Sequence, residues 1–263
     1  MKFLKPLFFL SILIFIISCT KKDESTPNEE QEEIPTSRVY KKTELIDYDI
    51  SYVVQEVFYE NSRIKKLVFN KDNFWVIRTY VVTYQGNEIE SILETGDYTD
   101  PALNDYEILM QISKTENKYI LESQTYPTTL EITYSGEYIN STKVYVSSDP
   151  SSIYYEENFM RNSQDQLVSS TTEGITYTYS DYDSNKEQNP LGNVYFSEFQ
   201  EYIYLLNLKF SSDTPTKAIE TQGSYSQEID VALEYDSEGY VTKATYSINN
   251  SPPSQYIHSY VTE

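Results

Sequence analysis

The chain carries one cysteine, one histidine, one tryptophan and seven glycines in 263 residues, with 20 basic side chains against 41 acidic. A single cysteine excludes a disulfide scaffold, a zinc cluster and an iron–sulfur site. A single histidine, His258, leaves histidine-based catalysis one place to stand. No nucleophile-elbow pattern accompanies it, so a surface or strand-edge histidine near the tail is the expectation. The net charge of -21 argues against nucleic acid, whose phosphates must be met by clustered Lys and Arg. No phosphate-binding glycine loop is present, and no stretch is long and apolar enough to cross a bilayer as a helix.

The longest apolar run is Leu7 to Ile17, behind Lys2 and Lys5. As a helix it would span about 16 Å, the size of a secretory signal's apolar segment and too short for a membrane anchor. It leads into Ile16-Ile17-Ser18-Cys19, which resembles the bacterial lipobox, where a small residue precedes a cysteine that is acylated before cleavage. The resemblance implies cleavage between Ser18 and Cys19, with residues 1–18 a lipoprotein signal peptide and Cys19 the lipidation site. Several acyl chains on one residue, each buried methylene contributing about 0.8 kcal/mol, anchor a protein durably without a spanning segment. Residues 20–36 hold six carboxylates, two lysines, two prolines and a single aliphatic residue. Such a segment cannot bury itself and is expected to be a solvated tether reaching up to about 55 Å. Its opening Lys21-Lys22-Asp23-Glu24 resembles the surface-export signal of Bacteroidetes-type lipoproteins. An outer-membrane, outward-facing location follows, with the periplasmic face as the alternative.

Residues 37–263 read as one β-meander domain. The 27 tyrosines favour strands and cover a pleated face while keeping a polar tip. Alternation is clear in Ile175-Thr176-Tyr177-Thr178-Tyr179-Ser180. Strands are predicted over 37–46, 50–60, 63–70, 74–84, 88–94, 105–114, 118–123, 128–135, 138–147, 152–160, 166–171, 174–181, 228–235 and 240–247. The turns recur. Tyr84-Gln85-Gly86-Asn87-Glu88-Ile89 is similar to Tyr134-Ser135-Gly136-Glu137-Tyr138-Ile139, and Tyr59 to Ile64 has the same spacing without the glycine. Leu233 to Val241 aligns without gaps to Phe159 to Leu167. Anchor positions 59, 84, 134, 161 and 235 are separated by near multiples of 25, about two strands and two turns. Phe196, Phe199, Ile203, Leu206 and Phe210 instead follow a helical spacing. A helix near 194–209 capped by Asn193 could plug one face of the sheet, although Tyr202 to Leu206 also reads as a buried strand.

The tyrosine–aspartate turns are similar to the repeats of large bacterial shell-forming proteins. A closer resemblance is to a group of Bacteroidetes lipoproteins of unknown function with a porin-like β-meander domain. It rests on Tyr179 to Leu191, which contains Tyr-Asp-Ser-Asn-Lys-Glu-Gln-Asn-Pro, and on the hairpin Glu234 to Lys243. Glu187-Gln188 stands where that group has a second lysine. The resemblance implies an all-β antiparallel meander, an open or partly rolled single sheet (a porin-like half barrel), and an envelope address. It implies no reaction. The residues argue against a membrane pore, because the second face of these strands carries Thr, Ser, Lys and Glu rather than an apolar band.

For chemistry, Asp181, Asp183, Asn185 and Glu187 alternate like the start of a calcium loop. A complete loop wants glycine at Lys186 and a bidentate glutamate at Gly192, so a polar turn accounts for the same residues and calcium is a weak candidate. No catalytic residue stands out, and no other cofactor is indicated. The tyrosine surplus suits a binding face for a glycan or protein partner. The expectation is a lipid-anchored envelope protein acting as a binding or scaffold module. The alternatives are a glycan hydrolase with paired carboxylates and a purely structural envelope protein.

Overall fold

Alternating side chains and tight polar turns make a chain that pairs each strand with the next. A computed structural model describes residues 38–47, 50–69, 76–100, 102–183, 199–249 and 253–262. In chain order the strands are β1 (Arg38–Asp47), β2 (Ile50–Glu60), β3 (Arg63–Phe69), β4 (Val76–Gln85), β5 (Glu88–Tyr98), β6 (Tyr106–Thr115), β7 (Lys118–Ser123) and β8 (Thr128–Ser135). They continue as β9 (Tyr138–Val146), β10 (Asp149–Arg161), β11 (Leu167–Thr172) and β12 (Ile175–Asp183). Helix α1 (Gln200–Leu205) precedes β13 (Thr214–Gln222), β14 (Tyr225–Tyr235), β15 (Val241–Ile248) and β16 (Ser254–Thr262). Every neighbour pair is antiparallel, and β16 pairs with both β15 and β1, so the 16 strands close into a barrel.

Closure corrects the open or partly rolled sheet expected from the sequence. The expected meander lacked β13 and β16, and without β16 both β1 and β15 would be free edges. Thr214–Gln222 reads weakly as a strand because it starts with Thr-Pro-Thr and has only Ala218 and Ile219 as apolar residues. Pro215 pairs with Tyr182 one step from the strand's start, where a missing N–H is tolerated. Ser254–Thr262 alternates well but follows two prolines at the tail. Once formed, it satisfies the backbone groups of two strands and abolishes the edges.

Registers fix which residues face inward. Side chains directly opposite on antiparallel strands share a face. One such row runs Thr133, Ser141, Asn158, Thr171, Thr176, Thr221 and Ser226 from β8 to β14. Another runs Ile120, Glu131, Lys143 and Glu156. These rows form part of the outer wall. On the other face lie Val57, Leu67, Tyr80, Ile92, Met110, Leu121, Leu130, Ile132, Phe159 and Leu167, all buried in one cluster with Tyr202, Ile203, Leu205 and Leu206. The inner face is therefore apolar, while the outer face is polar from β8 to β14 and carries Phe58, Lys66, Val81, Leu93 and Leu109 in one row from β2 to β6.

The helix sits in that apolar interior. It is shorter than the 194–209 expected from spacing, and it is flanked by Phe199, with no side-chain cap hydrogen bond; Asn193 lies outside the described residues. Ile203, Leu206 and Phe210 of the spaced set are buried, but so are Tyr202 and Leu205. A helix enclosed by strands must be apolar on more than one stripe, which is why the segment also read as a buried strand. Phe210 meets Phe159 with ring centroids 5.3 Å apart, and Phe199 meets Tyr155 at the same spacing, tying the segment to β10.

Where β5 meets β6 the fit is close. A Cβ on Gly96 would lie 2.0 Å from Cε1 of Tyr106, its cross-strand partner. The glycine lets the tyrosine ring lie flat over the strand and donate to Glu94 Oε1 at 2.8 Å. Gly96→Ala should push the ring aside and break that bond, at a cost of about 1–3 kcal/mol. Urea denaturation measures it, and a midpoint equal to the parent's would refute the packing account.

Candidate binding site

A bulge precedes each anchor position. The pairing register shifts between Phe58 and Tyr59, Thr83 and Tyr84, Thr133 and Tyr134, Met160 and Arg161, and Glu234 and Tyr235. An extra residue at such a point re-aims the side chain that follows. The side chains then reach across to neighbouring hairpins or the helix segment. Tyr84 donates to the carbonyl of Ile64 at 2.9 Å and Tyr134 to that of Thr115 at 3.1 Å. Arg161 donates to the carbonyl of Ile139 and to Asn140 Oδ1. Tyr235 donates to Asp183 Oδ2 at 2.6 Å, and the hydroxyls of Tyr59 and Tyr204 lie 3.3 Å apart. Tyr260 donates to the carbonyl of Val241 at 2.9 Å. Tyrosines thus encircle the end of the barrel bearing the β2–β3, β4–β5, β6–β7 and β8–β9 turns. β1 enters at this same end, because Arg38 pairs with Thr262 while Asp47 pairs with Ile50 at the other.

Within that ring lies a pocket of about 490 Å³ between the turns and the C-terminal end of α1. Its walls are Tyr59, Tyr84, Tyr119 and Tyr204, and its floor includes Ile89 and Leu206. Arg63 stands at the rim with its Cζ 5.4 Å from the Tyr84 ring centroid. Its guanidinium donates to the Gly86 carbonyl and to Asn87 Oδ1, each at 2.6 Å. Lys114 lies 5.4 Å from the Tyr119 centroid and 3.5 Å from Glu88. The rim cations are therefore engaged with protein acceptors. Burial raises the Tyr84 pKa despite nearby Arg63, so its phenol stays a donor at neutral pH.

Behind the pocket is a buried polar network. Arg78 on β4 pairs with Glu201 of the helix at 3.2 Å, and its Cζ lies 4.9 Å from the Phe69 centroid. Glu94 on β5 accepts from Tyr106 and, at 2.5 Å, from Tyr202. Tyr202 also packs edge-on against Tyr80, centroids 5.5 Å apart. Burial works against the Arg78 charge, but Glu201 first, then Tyr80, Glu94 and Tyr106, outweigh it and raise its pKa. Burial, and next the Glu94 carboxylate, raise the Tyr202 pKa well above its ordinary value, keeping its proton in place. Glu94 and Glu201 are 8% and 2% exposed. They hold the helix to the wall.

The sites expected from the sequence fall elsewhere. Ser18, Cys19, Asn185 and Glu187 lie outside the described residues. Asp181 is exposed at φ +54, its carbonyl accepting from the Thr216 hydroxyl, and Asp183 accepts from Tyr235. Among the described residues no group of three or more His, Cys, Asp or Glu is placed to hold a metal ion. His258 is neither on the surface nor on a free edge. It is 4% exposed on β16, its Nδ1 2.8 Å from the Thr43 hydroxyl of β1, because the closing strand turns it inward. Of the pocket tyrosines, Tyr59 and Tyr84 were marked by the turn pattern. Tyr119 and Tyr204 carried no such mark, since their place depends on the helix entering the barrel.

No family model and no curated protein matches the chain. Among solved structures it is similar to a porin-like protein from Bacteroides vulgatus ATCC 8482, with 11% identity, a TM-score of 0.48, and coverage of 84% of this chain and 98% of that one. It is also similar to a porin-like protein from Bacteroides uniformis ATCC 8492, with 11% identity, a TM-score of 0.39 and the same coverage. Both are described as porin-like proteins of Bacteroides.

Proposed function

We propose that the chain is a lipid-anchored protein of the cell envelope, exported to the outer surface, whose barrel is a binding module that takes its ligand at the tyrosine-lined mouth. The observation that carries this reading is the 490 Å³ pocket walled by Tyr59, Tyr84, Tyr119 and Tyr204. Its size falls within the roughly 300–1,000 Å³ of small-molecule sites. The lipobox-like Ser18-Cys19 supports the anchor, and Lys21-Lys22-Asp23-Glu24 supports export. The pocket opens at the end where β1 begins, and a tether of up to about 55 Å gives it clearance from the membrane surface. A hydrolase gains no support from the buried carboxylates, since Glu94 and Glu201 already serve Tyr106, Tyr202 and Arg78.

Growth with radiolabelled palmitate, followed by protease treatment of intact cells, tests address and anchor together. The parent chain should take up label and lose its barrel epitope to external protease. Cys19→Ser should take up no label and leave the membrane fraction. Label on the variant would sink the anchor assignment. An epitope protected in intact cells but cut in broken ones would move the module to the periplasmic face.

A further inference from the structure

The pocket chemistry narrows the ligand further, on the binding reading just given: we infer that the mouth takes a neutral saccharide, with one or two of its rings seated among the tyrosines and the rest of the chain running out over the turns. Three features point there. First, the walls are aromatic and amphipathic while the floor at Ile89 and Leu206 is aliphatic. A pyranose ring shows C–H groups on its faces and hydroxyls around its edge, and it pairs with such a surface through both. Second, the lining includes the side chains of Asn87, Asn207 and Ser62, polar partners for those edge hydroxyls. A fatty acyl chain or a plain aromatic side chain would cover these polar groups without satisfying them, at the usual penalty for desolvated donors and acceptors. Third, the charges around the pocket are matched inside the protein: Arg63 with the Gly86 carbonyl and Asn87, and Lys114 with Glu88. An anionic ligand would have to break those contacts in a chain whose net charge is already -21. A neutral ligand leaves them in place.

Tyr204 is the most informative residue, because it comes from the helix and lines the pocket beside the strand tyrosines. The purified full chain is applied to a printed array of neutral oligosaccharides and of sialylated and sulfated ones. Tyr204→Ala and Tyr119→Ala follow, with Tyr204→Phe and Tyr154→Ala as controls; Tyr154 is 61% exposed on β10 and belongs to another surface. The expected result is capture of neutral glycans, weakened at least tenfold by each pocket alanine. Tyr204→Phe should stay within threefold, because it keeps the ring face, and Tyr154→Ala should bind as the parent does. Tyr204→Phe also guards against a folding failure of the alanine variant. Capture confined to acidic glycans, or a blank array, overturns the saccharide assignment. Neutral capture untouched by Tyr204→Ala and Tyr119→Ala overturns the site. A phage-displayed peptide library panned in parallel separates this inference from the one beneath it. Peptides retained by the parent and lost with Tyr204→Ala, beside a blank array, would keep the binding module and replace its ligand class. A blank in both would remove the binding module as well.

Discussion

Replacing Arg78 with methionine is expected to destabilise the barrel by about 1.5–3 kcal/mol, the range for a hydrogen bond to a charged group. Glu201 is 2% exposed and reaches Arg78 at 3.2 Å. Without the guanidinium its carboxylate loses this partner while staying inside. The deficit should depend on pH, and the sign follows from the stranded acid. Removing the neighbouring cation disfavours the charged form of the buried carboxylate. Protonation then relieves the penalty, so stability is retained at low pH and lost as pH rises. Urea denaturation of Arg78→Met at pH 5 and pH 8 should show the larger deficit at pH 8. Combining Arg78→Met with Glu201→Leu should recover most of the loss, because an apolar pair of similar volume replaces the ion pair without leaving a charge behind. A double variant as unstable as the single one would mean that the network stabilises through Glu94 and Tyr202 rather than through this pair.

Acidification should weaken the parent barrel before its carboxylates titrate. Burial lowers the His258 pKa from 6.5 to about 4. The unfolded chain takes up a proton near pH 6.5, whereas the folded one refuses it until about pH 4. Stability is therefore full above 6.5 and falls through the interval at about 1.4 kcal/mol per pH unit, or roughly 3 kcal/mol by pH 4. His258 sits on the seam, facing Thr43 across the β1–β16 pairing that closes the barrel. Denaturation midpoints at pH 7.5 and 4.5 for the parent and for His258→Gln provide the check. The variant should lose about 2–3 kcal/mol less over that interval, with the carboxylates common to both proteins cancelling. Equal losses would place the acid sensitivity elsewhere.

The strands were legible because a two-residue period survives even in a tyrosine-rich chain of modest apolar content. β2, β7 and β8 begin and end where alternation and turn residues put them. β5 runs on to Tyr98 and β10 starts at Asp149, beyond their expected ends, because cross-strand partners extend pairing past the point where local pattern fades. The anchor tyrosines were visible as a turn motif. What they do was not, because reaching the carbonyls of Ile64 and Thr115 depends on a bulge and on the strand next door. The buried partners Arg78, Glu94 and Glu201 were hidden among 41 acidic and 20 basic residues, since burial is a property of the assembled barrel.

By itself the sequence determined an all-β meander and, between Phe196 and Phe210, an apolar run that reads as helix or buried strand. Each is a local pattern, decided within a few residues by strand or helix periodicity and turn chemistry. Only the tertiary structure decided that the sheet closes, that the tyrosines ring one mouth, and that the helix builds a pocket there. Closure depends on β16 finding β1 across more than 200 residues. The pocket depends on a helix entering a space that exists only once the strands have met. Side-chain pattern says which face of a strand is buried, but not which distant surface will bury it.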